Sequence, residues 1–301
     1  MKKIIKVTLK FLSCILFIVL CFPIGYFVLP KAQNIIDDVA TPHDTVSYVI
    51  NLERSIGRLQ YVMPNIKKLG YKVQVISAVD GKQLSDDKIH EQTDQHMYRN
   101  FFNYYPPKGT IGCFLSHIKV WETFLKSEHE FAVIFEDDVS FDPAKLKSVI
   151  EQLTTGKKYW DITSFEMSHR GNPLTLNTLH SDQKHVIFLY KVSHSGAYII
   201  NRKAAKKLLE KSLPIMMPID HYFIRSWELG LKFTGIEPRI VHQSYGDSEI
   251  CEVNRLNNEQ EYKALYLRLY KYMFNIQTNL VNFFYNLKIY LYYKYEQLRL
   301  T

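Results

Sequence analysis

One apolar run that stops abruptly in acid constrains this chain more than any other feature. Phe131-Ala-Val-Ile-Phe135 leads directly into Glu136, Asp137 and Asp138. A short run rich in β-branched and aromatic residues reads as a fully buried strand. Three adjacent carboxylates repel one another, so folding them together costs free energy unless water or a cation lies among them. Ligands bind in the crevice at the carboxyl ends of parallel strands, and hard oxygen donors suit Mg²⁺ or Mn²⁺. Such an ion would hold a diphosphate and offset its charge as it leaves. A solvated acidic turn is the plain alternative, and the cluster alone does not separate the two.

The stretches on either side set the fold class. Val46–Leu52 reads as a first strand, followed by a helix to Lys68 with Pro64 inside it, and Tyr71–Ser77 reads as a second strand. Arg54 and Arg58 are four apart, near the positive end of that helix, where a phosphate could sit or where both could simply be solvated. Residues 82–108, polar and aromatic with Pro106-Pro107, read as a long loop or lid. Thr110–Lys126 follows as a helix with one apolar stripe, and His117 borders that stripe as either a core histidine or a cleft residue. Further on, Pro143–Leu153 and Arg202–Lys211 read as helices. Tyr159–Phe165, Val186–Lys191 and Phe233–Gly235 read as strands, and 166–184 is left as a loop. Asp220 is placed to cap a helix from His221 to Leu229. Alternation of this kind predicts an α/β domain with a mostly parallel sheet over residues 47–250. No GxGxxG or Walker A sequence occurs, which argues against dinucleotide oxidoreduction and P-loop chemistry.

The ends differ in character from this domain. Residues 1–10 carry four lysines, and 11–29 are nineteen residues without a charge. That is about the length needed to cross a bilayer core of ~30 Å, and a cleaved signal peptide is the competing reading. The expectation is a single-pass membrane protein with an N-terminal anchor, in a bacterial inner membrane or in Golgi or ER. The lysine bias puts its N-terminus in the cytoplasm, and residues 30–46 form a polar stem. Residues 251–301 form a helical tail. Its part from 261 onward holds nine tyrosines and six bases against two acids. A basic aromatic amphipathic helix suits a membrane surface and equally suits packing on the domain or on a second subunit.

Net charge is +8, which favours an anionic partner without choosing one. Cys14 and Cys21 lie in the apolar run, leaving Cys113 and Cys251 with no disulfide framework and no metal spacing. Nothing resembles a stacking or groove-reading motif, so no nucleic-acid partner is expected.

Several separated stretches agree with one family. Val49-Ile-Asn-Leu-Glu-Arg54 with Arg58, Ala78-Val-Asp-Gly81, Gly112-Cys-Phe-Leu-Ser-His117, Phe135-Glu-Asp-Asp138, Gly196-Ala-Tyr198 and Pro218-Ile-Asp220 occur in order. Together they resemble glycosyltransferase family 25, the lipooligosaccharide and collagen-type galactosyltransferases. The resemblance covers about residues 47–245. It implies a GT-A-like fold, a UDP-sugar donor (commonly UDP-galactose), a divalent Mn²⁺ or Mg²⁺, inversion at the anomeric carbon, and a glycan, glycolipid or protein-linked acceptor. Asn51, Arg54, Arg58, Asp80, Gly81, His117, Glu136 and Asp137 would then line the donor side. Asp138 is the first choice of metal ligand, with Asp137 and His242 beside it. Asp220 is the candidate base for the acceptor hydroxyl. A membrane-anchored binding protein that kept the fold without turnover is the rival.

Overall fold

The computed structural model describes residues 44–155, 159–169, 171–179, 183–243 and 265–300. The expected basic segment 1–10, the apolar run 11–29 and nearly all of the stem lie outside these residues. Among the described residues no helix is long and apolar enough to cross a membrane. The single-pass localisation is corrected accordingly. The longest described helix, Leu265–Leu300, carries six charged side chains spread along its length.

The chain enters the domain through β1 (Thr45–Asn51), buried along its whole length. Helix α1 (Ile56–Lys68) includes Pro64, and β2 (Lys72–Ser77) then pairs parallel to β1. The stretch expected as a loop instead holds α2 (Asp86–Gln92) and α3 (Gln95–Phe102). Each is short and capped locally, since Ser85 accepts from the Lys88 amide and Asp94 from the Met97 amide. Capping of this kind offsets a weak apolar pattern. Helix α4 (Lys108–Leu125) leads into β3 (Phe131–Glu136), parallel to β1 on its other side.

After β4 (Val139–Phe141) and α5 (Pro143–Thr154) come β5 (Ile162–Ser164), β6 (Ser168–His169), β7 (Pro173–Thr178), β8 (Lys184–Phe188), β9 (Val192–Ser193) and β10 (Ala197–Asn201). Helices α6 (Arg202–Glu210), α7 (Ile219–Phe223) and α8 (Ser226–Leu229) precede β11 (Phe233–Glu237), β12 (Val241–Gln243) and the terminal α9 (Leu265–Leu300).

The main sheet has eight strands in the order β2-β1-β3-β10-β5-β11-β8-β7. Three neighbouring pairs are parallel and four antiparallel, so the expected mostly parallel sheet is in fact mixed. Helical crossovers link β1 to β2 and β2 to β3 in parallel. By contrast β10 runs back between β3 and β5, and β7, in the stretch read as a loop, pairs antiparallel with β8, which overlaps the strand expected from Val186.

Alternation along the central strands builds two cores. Tyr48, Ile134 and Tyr198 face α4 and α6, while Val49, Val133 and Ile199 face α1 and α5. The tail does pack on the domain. Asn286 Nδ2 donates to Phe188 O at 2.7 Å, Tyr285 Oη to Leu231 O at 3.0 Å, and Phe101 stacks on Phe274.

Candidate active site

β1, β2 and β3 are mutually parallel, so their carboxyl ends share one edge, with Asn51 opposite Ser77 and Ile50 opposite Glu136. A cavity of ≈ 310 Å³ opens there, lined on one side by Arg54, Arg58 and Asp80 and on the other by His117 and the three acids. This is within the size range of small-molecule sites.

Each acid has a different environment. Asp137 accepts from Asn51 Nδ2 at 2.6 Å and faces Arg58 Nη1 at 3.5 Å. Burial nevertheless outweighs these partners and raises its carboxyl. Asp138 accepts from Gln243 Nε2 at 2.8 Å. Burial, with Glu136 and Asp137 close by, pushes it up to about 6. Burial works to raise Glu136 as well, but the His117 imidazole, the Ser195 hydroxyl and the His194 charge prevail and hold it low. Ser195 Oγ donates to Glu136 Oε1 at 2.7 Å.

His117 is fully buried. Its Nδ1 pairs with Tyr198 Oη at 2.8 Å, and its Nε2 lies 3.5 Å from Glu136 Oε1. It meets the cavity from inside the core, beside Glu136. Cys113, His117 and Glu136 bring potential ligand atoms within 4.8 Å of one another. Burial pushes the Cys113 thiol well up, which disfavours the thiolate a metal would need.

The loop after β2 forms the opposite wall. Arg54 pairs with Asp80, whose Oδ1 also accepts from the Lys82 amide at 3.0 Å. Two glycines let this loop sit against α4. A Cβ on Gly112 would come within 2.6 Å of Val79 O and 2.7 Å of Gly81 N, and one on Gly81 would overlap the Lys108 carbonyl. Ser116 Oγ accepts the Val79 amide at 2.8 Å, which fixes the register.

Asp220 lies elsewhere, in the first turn of α7, where Pro218 and not Asp220 is the cap. The expected single helix is broken into α7 and α8. Asp220 Oδ1 accepts from the His221 amide at 2.9 Å and Oδ2 from the His194 amide at 3.3 Å. His194 has φ +85°. Its Nδ1 lies 3.0 Å from the carboxylate of Glu166, which is 2 % exposed. The Glu166 hydrogen bond raises the imidazole.

The structure therefore gathers Arg54, Arg58, Asp80, Gly81, His117, Glu136, Asp137 and Asp138 around one cavity, with Asn51 behind them on Asp137. His242 is exposed on β12 and does not line it. On a strand adjacent side chains alternate, and Gln243 is the one that turns to Asp138. Sequence reasoning missed Gln243, Ser195 and the Glu166–His194 pair. Only Ser195 had a signal, its place beside the Gly196-Ala-Tyr198 motif.

An α/β domain with a cavity at the carboxyl ends of parallel strands has its pocket where such folds bind small ligands. The family model for glycosyltransferase family 25 (LPS biosynthesis protein) matches residues 44–223, and the chain belongs to that family. A glycosyltransferase 25 family member of Aedes aegypti is 33 % identical over 187 residues, covering 58 % of this chain and 30 % of that protein. Procollagen galactosyltransferase 2 of Mus musculus is 25 % identical, covering 66 % of this chain and 35 % of that one. A probable inactive glycosyltransferase 25 family member 3 of Bos taurus is also 25 % identical, covering 67 % and 37 %. The chain thus spans about a third of the length of these relatives. Among solved structures, a Drosophila β-1,4-galactosyltransferase 7 mutant in complex with manganese, UDP-Gal and xylobiose aligns over 73 % of this chain and 75 % of its own. The TM-score is 0.34 at 10 % identity, too low to transfer a site.

Proposed function

We propose that this chain is a metal-dependent, inverting glycosyltransferase of GT-A-like fold. It moves a hexose, galactose by family resemblance, from a UDP-sugar to a hydroxyl of a glycan, glycolipid or protein-linked acceptor. The observation behind this reading is the placement of Asp137 and Asp138 at the end of β3, on a cavity of ≈ 310 Å³ that Arg54 and Arg58 also line.

The chain's residues divide the work. Arg54 and Arg58 line the wall where a diphosphate would lie, Asn51 holds Asp137 behind it, and Asp80 and Gly81 shape the loop that closes it. Burial first, and then the neighbouring Glu136 and Asp137, push Asp138 up, and a divalent cation would offset that crowded charge, with oxygen donors suiting Mg²⁺ or Mn²⁺. Asp138 would hold it, with Asp137 second, because Asp137 already shares its oxygens with Asn51 and Arg58. When bound, the cation supplies positive charge to the leaving diphosphate.

Inversion in one displacement needs a base on the face opposite the leaving group. Asp220 is proposed for that role. Each carboxylate oxygen has two acceptor sites, so its two amide contacts leave room for the acceptor hydroxyl. The proton passes to Asp220 as the hydroxyl oxygen bonds to the anomeric carbon, and the bond to the diphosphate breaks with its electron pair leaving on UDP.

The other reading, a family member without turnover, draws support from the relative named probable inactive. Incubation of the protein with a panel of UDP-sugars, Mn²⁺ and mixed glycan acceptors, with UDP release and product mass measured, decides between them. UDP release that depends on acceptor supports transfer. Donor binding without release supports the inactive reading.

A further inference from the structure

Among the described residues, the domain covers the inner face of α9 and leaves its outer face exposed. Phe274, Tyr285 and Tyr293 are buried against Phe101, Leu231 and Ile187 of the domain, and Leu267 is buried as well. Leu269, Tyr272, Ile276, Leu280, Phe284 and Leu291 follow at three-, four- and seven-residue steps and are 37–63 % exposed. At 100° per residue they lie on one side of the helix. At 1.5 Å per residue, the 36 residues of α9 extend over roughly 54 Å. Apolar exposure on this scale marks an interaction surface on a soluble domain.

Charge indicates the occupant. Arg268, Lys288 and Arg299 are exposed at the edges of the stripe, Arg299 with Nη1 3.4 Å from Glu296 Oε1. The only acid in α9, Glu296, is 8 % exposed. A second copy would bring bases against bases, with no exposed acid on α9 to answer them. An apolar stripe rich in Leu, Tyr and Phe with basic edges matches instead an anionic lipid surface, which attracts each base and takes up the apolar side chains.

We infer that the outer face of α9 docks flat on an anionic phospholipid surface. The helix lies in the interface and crosses nothing. Its position also relates to the chemistry, a link that rests on the proposed transferase reading. Phe102 meets Phe274 of α9 at 6.3 Å and His221 at 5.0 Å, beside Asp220. Lys191 Nζ donates to Asn275 of α9 at 3.1 Å, just before the turn that carries His194. Docking through α9 would hold the acceptor side close to the lipid, which suits a lipid-linked acceptor.

The test reads α9 itself and needs no activity, so it stands or falls separately from the transferase reading. Leu280 of the full chain is replaced by an environment-sensitive fluorescent amino acid, and in a control protein Tyr61, exposed on α1, is replaced in the same way. Vesicles of phosphatidylcholine, with or without phosphatidylglycerol, are then titrated in. The expected result is a blue shift at position 280 with phosphatidylglycerol vesicles and none at position 61. Combined Arg268→Glu, Lys288→Glu and Arg299→Glu should weaken the binding read at position 280 by on the order of 10²-fold. No shift at 280, or an equal shift at both positions, overturns the inference. So does a response indifferent to phosphatidylglycerol and to the charge reversals. A blue shift without lipid that grows with protein concentration would assign the face to a second copy and overturn it too.

Discussion

Asn51 Nδ2 donates to Asp137 Oδ2 at 2.6 Å across 86 positions of sequence, joining the end of β1 to the acids that follow β3. The same amide nitrogen donates to Ser55 O at 3.1 Å. One side chain thus ties the turn that carries Arg54 and leads into α1 to the acidic strand end. Asn51→Ala should leave the buried Asp137 short of a donor. The expected cost is ~1–3 kcal/mol, read by urea unfolding, with weaker UDP binding by calorimetry. Unchanged stability and unchanged UDP affinity would show that the contact holds nothing together.

Asp138 gives a metal prediction and a pH prediction. Its folded carboxyl, at about 6, lies above the ordinary 3.8. The folded state therefore binds the extra proton, and stability from this group is present below about pH 4 and lost as pH rises through 6. In chelator at pH 7.5, Asp138→Asn should be more stable than wild type by up to ~3 kcal/mol. Mn²⁺ should raise the melting temperature of wild type only, and transfer by the variant should nearly vanish. A variant that keeps wild-type transfer would remove Asp138 from the metal site.

His185 should act with the opposite sign. It is buried, with Nε2 at 2.9 Å from Thr234 Oγ1, and burial lowers its imidazole to about 3. The unfolded chain takes up a proton that the folded one refuses. Stability from His185 is thus present above pH 6.5 and falls as pH drops from 6.5 towards 3, by up to ~1.4 kcal/mol per pH unit. His185→Gln keeps a polar partner for Thr234 and should flatten that slope in unfolding curves taken from pH 4 to 7. An unaltered slope would place the acid sensitivity elsewhere.

For Asp220, the two amide contacts separate base from structure. Asp220→Asn can still accept at one oxygen, but its amide nitrogen would face a backbone N–H. A stability loss of ~1–2 kcal/mol is expected, together with a fall in transfer of ~10²-fold or more and unchanged UDP binding. Were transfer to fall only as far as the folded fraction does, Asp220 would be a structural residue of the α7 turn.

Gly112→Ala tests the wall made by the loop after β2. The new Cβ would meet backbone atoms, Val79 O at 2.6 Å and Gly81 N at 2.7 Å, that have little freedom to withdraw. A cost of ~1–3 kcal/mol is expected, with weaker UDP binding because Asp80 and Arg54 would shift. Full UDP affinity in a destabilised variant would show that the loop shapes the fold but not the donor side.

The sequence by itself determined the local elements and the chemistry gathered at their ends. The apolar run 131–135 had to be buried on both faces, and the acids after it had to sit at its end, because side-chain pattern along a strand depends on neighbours in sequence. Asn51, Arg54, Arg58, Asp80 and His117 were legible through their motifs, and all of them line or border the cavity. Strand direction was not legible. β10 runs antiparallel between β3 and β5 because of how the chain returns across the sheet, and alternation of residues is the same in either direction. Nor could sequence alone show that Gln243, and not His242, reaches Asp138. The pairing of β12 with β4 decides which side chain turns inward, and a shift of one residue would exchange them. The two faces of α9 were decided in the same way. Its composition suited both a surface and a partner, and only packing showed that one side is covered by the domain and the other is exposed.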